Sequence, residues 1–208
     1  HFKAPVPQTK KMVIRKRYWL YYLLQFMSGA RRQIFVVFAG FMMVERFGMD
    51  VQQLTTLYLI NLILNIALAP LLGRAVARYG ERNALAVEYF GLAVVFFAYG
   101  GIYIFGWGIL IAASLYILDH LFFALALAIK TYFQKIADPQ DIAATAAVAF
   151  TINHIAAIFL PVSLGFLWLI SPFLVFCTAG TLAIFSFVLA LLIPREPRIG
   201  KETIFCVS

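Results

Sequence analysis

Residues 18–44 read YWLYYLLQFMSGARRQIFVVFAGFMMV, an apolar run with two adjacent arginines, Arg31 and Arg32, at its centre. At about 1.5 Å of rise per residue, a helix of this length crosses a hydrocarbon core of roughly 30 Å with residues to spare. Both guanidinium groups then lie near the midplane, where each costs roughly 2.5 to 3.5 kcal/mol, or about 5 to 7 kcal/mol together. Arginine keeps its proton, so the pair must meet an anion, a polar cavity or water. The other helices decide which.

The composition makes the rest of the chain membrane material as well. Of 208 residues 63% are hydrophobic and only 12% charged, and the mean hydropathy is +0.91. Those values exclude an ordinary soluble domain. A net charge of +8 raises the question of nucleic acid, but the basic residues sit at the ends of apolar spans, where they belong beside anionic lipid. Cys177 and Cys206 form no CxxC and no disulfide framework. The sequence starts His1-Phe2-Lys3 without a cleavable signal pattern, and it reads as part of a longer protein.

Six apolar spans are expected, at residues 18–44, 51–72, 84–103, 108–129, 142–170 and 173–193, preceded by a linker over 1–17 and followed by a tail over 194–208. Fourteen of the seventeen Lys and Arg fall in the linker, the loop with Arg74, Arg78 and Arg82, the loop with Lys130 and Lys135, and the tail. The alternate loops hold Arg46 alone, and the membrane holds Arg31 and Arg32. Because Lys and Arg near helix ends resist translocation, linker and tail are both expected in the cytoplasm, in an inner, cytoplasmic membrane. Tyr18, Trp19, Tyr21 and Tyr22 then mark one interface, and Tyr99, Tyr103, Trp107 and Trp168 the other.

Polar residues within the spans recur at helical spacing. Gln25, Ser28 and Arg32 stand at i, i+3, i+7, which puts Arg32 on a polar face and Arg31 about 100° away. Tyr58, Asn61 and Asn65 repeat that spacing in the second span. Such faces serve either as interhelical glue or as a cavity wall. Asp119 and His120 lie mid-span in the fourth helix, and Thr151, Asn153 and His154 in the fifth. Asp119 is the expected counterion of Arg31 or Arg32, either as a fixed pair joining two helices or as a functional one. Read as metal ligands, Asp119, His120 and His154 lack the i, i+4 histidine spacing and an accompanying glutamate, so neither a metal nor a cofactor is expected. Glu88, near the basic end of the third span, is expected to pair with Arg78 or Arg82. The third span otherwise, and the sixth, carry few strongly polar groups and are expected to face lipid. Pro70 and Pro161 are candidate kinks.

Between the second and third spans the sequence Gly73-Arg-Ala-Val-Ala-Arg78-Tyr-Gly80-Glu81-Arg82 resembles the G-x-x-x-D-R-x-G-R-R loop of the major facilitator superfamily. Gly73, Arg78, Gly80 and Arg82 match; Ala77 replaces the family's Asp and Glu81 an Arg. The resemblance covers about residues 17–194. It implies an all-α fold of six transmembrane helices forming one half, the C-terminal one, of a twelve-helix transporter. Its partners are then the bilayer, a transported small solute and the missing N-terminal half. It also implies that the first and fourth spans line a central cavity, flanked by the second and fifth.

On this reading the protein is not an enzyme but a secondary transporter of a small anionic solute, coupled to protons and working by alternating access. Arg32, Arg31, Gln25, Tyr58, Asn61, Asn65 and Asn153 are the expected substrate contacts; Asp119, His120 and His154 are the expected proton-coupling or gating groups. A membrane scaffold held by a fixed Arg–Asp pair and an intramembrane metalloenzyme are the alternatives.

Overall fold

The structure, a computed structural model, describes residues 14–205; most of the expected linker lies outside them. Among the described residues the chain is built of helices, with no β-strand and one isolated bridge between Arg198 and Lys201. Five helices are long and apolar enough to cross a membrane: Val51–Tyr79, Glu81–Phe105, Ile109–Ile136, Pro139–Ile170 and Pro172–Leu191. This is the make-up of a multi-pass membrane protein.

Residues 19–47 are helical throughout, in three pieces: α1 (Trp19–Gln33), a π-helical turn (Ile34–Ala39) and α2 (Gly40–Phe47). The wider turn begins two residues after Arg32. Then α3 (Val51–Tyr79) starts on a capping box, in which Asp50 accepts from the Gln53 amide at 2.7 Å and the Gln53 side chain accepts from the Asp50 amide at 3.2 Å. Gly80, at φ +82°, turns the chain into α4 (Glu81–Phe105). That backbone is open to glycine and strained for other residues, which accounts for a glycine at this place in the loop. One continuous helical stretch follows, made of α5 (Ile109–Phe123), a 3₁₀ turn (Ala124–Ala126) and α6 (Leu127–Ile136). The last two helices are α7 (Ile142–Ile170) and α8 (Pro172–Leu191).

Two apolar clusters fill the bundle, one above the other. The first joins Tyr18, Leu20, Leu24, Leu85, Tyr89, Tyr132, Ile136 and Leu189 at the end carrying most of the basic residues, hereafter the basic end. The second joins Ile34, Phe38, Met42, Phe96, Ile102, Tyr116, Trp168 and Phe176 at the far end. Between them, where α1 passes from Met27 to Ile34, α4 from Leu85 to Leu92 and α5 from Tyr116 towards Leu125, lie three buried charged residues, Arg31, Glu88 and Asp119.

The packing corrects one expectation. The third span, α4, is the most embedded of the five helices, with 67% of its central stretch buried, because one side lies along α8 while another meets α5 and Glu88 reaches Arg31 of α1. Along its middle only the stripe Val87, Phe90, Val94 and Phe97 is exposed, besides Asn83 at its start and Ile104 and Phe105 at its end. The second span, α3, is the reverse, with 6% buried. Its buried residues are Leu57, Asn61 and Val76.

Candidate functional site

The polar face read from α1 lines a cavity of about 420 Å³. Gln25, Ser28, Arg32, Phe35 and Val36 come from the first helical stretch, Tyr58 and Asn65 from α3, His120 and Phe123 from α5, Lys130 from α6 and Asn153 from α7. Helical spacing turns the polar stripes of α1 and α3 inward, α5, α6 and α7 add one polar residue each, and the small side chains Ala124 and Ala126 leave the volume open between them. A recess of about 300 Å³ shares Gln25, Lys130 and Asn153 and continues past Tyr21, Phe133 and Gln134 towards the basic end. At the far end aromatic packing fills the bundle instead. Trp168 lies 5.6 Å from Phe38 and 5.8 Å from Phe176, centroid to centroid, and donates to Glu45 Oε2 at 3.1 Å.

No Asp or Glu lines the cavity. Arg32 and Lys130 both reach it with exposed side chains, and among the described residues neither has an acidic partner. Two unpaired cations, three side-chain amides (Gln25, Asn65, Asn153) and the rings of Phe35, Tyr58, Phe123 and His120 therefore surround one space. Chemically the wall offers positive charge and hydrogen-bond donors at one place and aromatic surface at another.

Arg31 points the other way. It is 1% exposed and lies between the two apolar clusters, where its Nη1 meets Glu88 Oε1 at 3.3 Å and its Nε donates to the Met27 carbonyl at 3.2 Å. The guanidinium also stacks on Tyr89, 4.1 Å from the ring centroid. Glu88 is therefore the ion-pair partner of Arg31, not of Arg78 or Arg82. Those two lie at the α3–α4 turn, where Arg78 stacks over Tyr79 and Arg82 is half-buried. The helical rotation of α4 carries Glu88 inward, away from the loop. Asp119 is 2% exposed and within the field of Arg31, but it makes no ion pair and its Oδ2 has no hydrogen-bond partner.

The remaining expected residues divide. Asn61 is fully buried and donates to the Tyr116 carbonyl at 3.4 Å, so it ties α3 to α5 and does not line the cavity. Asn153 lines the cavity and also donates to the Gln25 carbonyl at 3.3 Å. His120 forms part of the wall, with its ring 5.6 Å from Phe35 and 6.2 Å from Tyr58. His154 is exposed and outside the cavity, its Nδ1 2.8 Å from the Phe150 carbonyl. Among the described residues no three His, Cys, Asp or Glu side chains gather closely enough to hold a metal. In the loop motif, Gly80 has a definite part, set by its positive φ, while Gly73 has open space around it.

At the basic end, ion pairs fasten the polar segments to the helix ends. Arg15 binds Asp141 through two contacts of 3.0 and 3.3 Å, Arg17 pairs with Asp138 and lies 4.0 Å from Glu202, and Lys135 meets Glu81 at 2.7 Å. The hydrogen bond and the charge of Asp141 raise the pKa of the Arg15 guanidinium. Tyr132 Oη donates to the Glu202 carbonyl at 2.6 Å and holds the tail beneath α6.

Lys130 and Glu88 are the two charged groups of this region that sequence reasoning misplaced. Lys130 is counted with the loop if the fourth span is ended at residue 129; the helix runs on to Ile136, and the lysine belongs to its inner wall. Glu88 is assigned to the nearest cations in sequence, although its partner lies 57 residues away. The chain matches no protein-family model, and no curated protein and no solved structure matches it.

Proposed function

We propose that this chain forms six membrane-spanning helices, counting residues 19–47 as the first, and is one half of a major-facilitator-type transporter for a small organic anion. The observation that carries this reading is the cavity wall, on which, among the described residues, Arg32 and Lys130 stand without an acidic partner and no Asp or Glu is present. A membrane protein that keeps a cation unpaired at this depth has an anion, or water exchangeable for one, to offer it. A fixed scaffold would bury such a cation against an acid, as happens to Arg31 with Glu88.

The exposed length of α3 and the open side of the cavity fit a second six-helix half covering them. The same positive-inside arithmetic that places both ends of the chain in the cytoplasm makes the basic-end recess the inner mouth, so this conformation faces inward. The solute then lies between Arg32 and the aromatic plug at Trp168, with Gln25, Asn65 and Asn153 donating to it and Tyr58 and Phe35 covering its apolar part. Proton coupling falls to the acid nearest the wall, Asp119, with His120 between it and the cavity; His154 is left without a part.

The test uses the full-length protein purified in detergent and a panel of mono- and dicarboxylates, sugar phosphates, organic cations and neutral sugars. One or more of the anions raises the unfolding temperature, and Arg32→Ala removes that rise while the protein remains folded. Stabilisation by cations or neutral sugars alone, or by anions equally in Arg32→Ala, contradicts the reading.

A further inference from the structure

The buried layer between the two apolar clusters is out of charge balance. It holds one guanidinium, Arg31, and two carboxyl groups, Glu88 and Asp119, all 2% exposed or less. The groups facing them are Tyr89 and Tyr99 from α4, Tyr116 and His120 from α5, and Tyr58 and Asn61 from α3; α8 has no acidic or basic residue. Among the described residues no other Lys or Arg pairs with these acids, and Arg32 and Lys130 line the cavity instead. Two ionised acids against one arginine leave a negative charge with no counterion in apolar surroundings, and such a charge is removed by taking up a proton. Seven polar atoms of the layer and the groups facing it also lack partners: Arg31 Nη2, Glu88 Oε2, Asp119 Oδ2, Asn61 Oδ1, His120 Nδ1 and the hydroxyls of Tyr89 and Tyr99. A network in its final arrangement leaves few such atoms.

We propose that Asp119 carries one exchangeable proton and that Arg31 moves from Glu88 to share itself with Asp119 when that proton leaves. Glu88 already has the arginine, so the neutral acid is Asp119. On release the Asp119 O–H bond breaks and its proton passes to water in the cavity, whose wall begins at His120, the next residue. The carboxylate left behind draws the free Nη2 of Arg31. The π-helical turn Ile34–Ala39, directly beyond the two arginines, gives α1 a place to change its winding without unfolding. Arg32 sits on the same turn of helix as Arg31 and moves with it, so the proton's departure repositions the cation on the cavity wall. The proton site stands independently of transport; its effect on Arg32 as a substrate contact rests on the transporter reading.

Infrared spectroscopy of the full-length protein in detergent tests it through the carbonyl stretch of a buried, protonated carboxylic acid at neutral pH. The wild type shows one such band, and it is lost in Asp119→Asn. It is also lost in Glu88→Gln, because neutralising Glu88 releases Arg31 to an ionised Asp119. Absence of the band in the wild type, its retention in Glu88→Gln, or its loss in Glu88→Gln alone each overturns the proposal. Isotope labelling of the wild type assigns the band, whether or not both variants fold: ¹³C-aspartate shifts it and ¹³C-glutamate does not, and the opposite result places the proton on Glu88 and overturns the proposal. Neither measurement involves transport, so a failed transport reading leaves this result intact.

Discussion

Arg31 and Arg32 are neighbours with opposite environments, and a rotation of about 100° per residue is the cause. One enters the closed layer between α1, α4 and α5; the other opens on the cavity. Their substitutions therefore separate by property. Arg31→Met leaves two buried acids without a cation and costs about 3–5 kcal/mol of stability, the scale for breaking a buried pair. Adding Glu88→Leu recovers most of that loss, because removing both partners avoids an orphaned charge. Arg32→Met leaves stability unchanged and removes anion binding. Denaturant unfolding of the purified variants checks the first two, and equal destabilisation by Arg31→Met and Arg32→Met refutes the division. The i, i+3, i+7 spacing with Gln25 and Ser28 was enough to place Arg32 on the polar face. The partner of Arg31 was not legible, because Glu88 lies 57 residues away and its inward aim depends on how α4 packs against α8 and α5.

At the scale of helices, the close approach of α1 and α7 positions Asn153 on the cavity wall. A Cβ added at Gly29 would lie 2.7 Å from the Asn153 carbonyl oxygen. Gly29→Val therefore forces the two helices apart, costing about 1–3 kcal/mol and breaking the bond from Asn153 to the Gln25 carbonyl. Gly165→Ala, whose added methyl meets nothing within 4 Å, leaves thermal unfolding unchanged or slightly later. Equal effects at the two glycines would contradict this packing. Hydropathy alone located the long helices, since twenty apolar residues leave few choices. It did not show the π-helical turn, which has no residue signature in IFVVFA, nor the extension of the fourth span through Lys130 to Ile136. Burial was misjudged for α4 because an apolar helix reads the same whether it meets lipid or other helices.

For the whole molecule, charge distribution carries the orientation and the exposed α3 carries the expectation of a second half. A cysteine in place of Arg198, in the tail, reacts with a membrane-impermeant maleimide from the cytoplasmic side. One in place of Trp107, between α4 and α5, reacts from the opposite side. Labelling of both from one side contradicts the odd number of crossings, three, that lies between these positions. The loop motif around Gly80 gives only partial support at this scale: its glycine has a clear conformational reason, whereas Ala77 and Glu81 depart from the pattern and Glu81 instead binds Lys135 at 2.7 Å.

The central claim, that Arg32 on an acid-free wall receives a transported anion, is tested most directly by counterflow in proteoliposomes. Vesicles containing the full-length protein are loaded with the anion that stabilises it in detergent and diluted into a trace of the same labelled anion. The account predicts transient accumulation of label with the wild type and none with Arg32→Ala reconstituted to the same level. Accumulation at the wild-type rate in Arg32→Ala would contradict it.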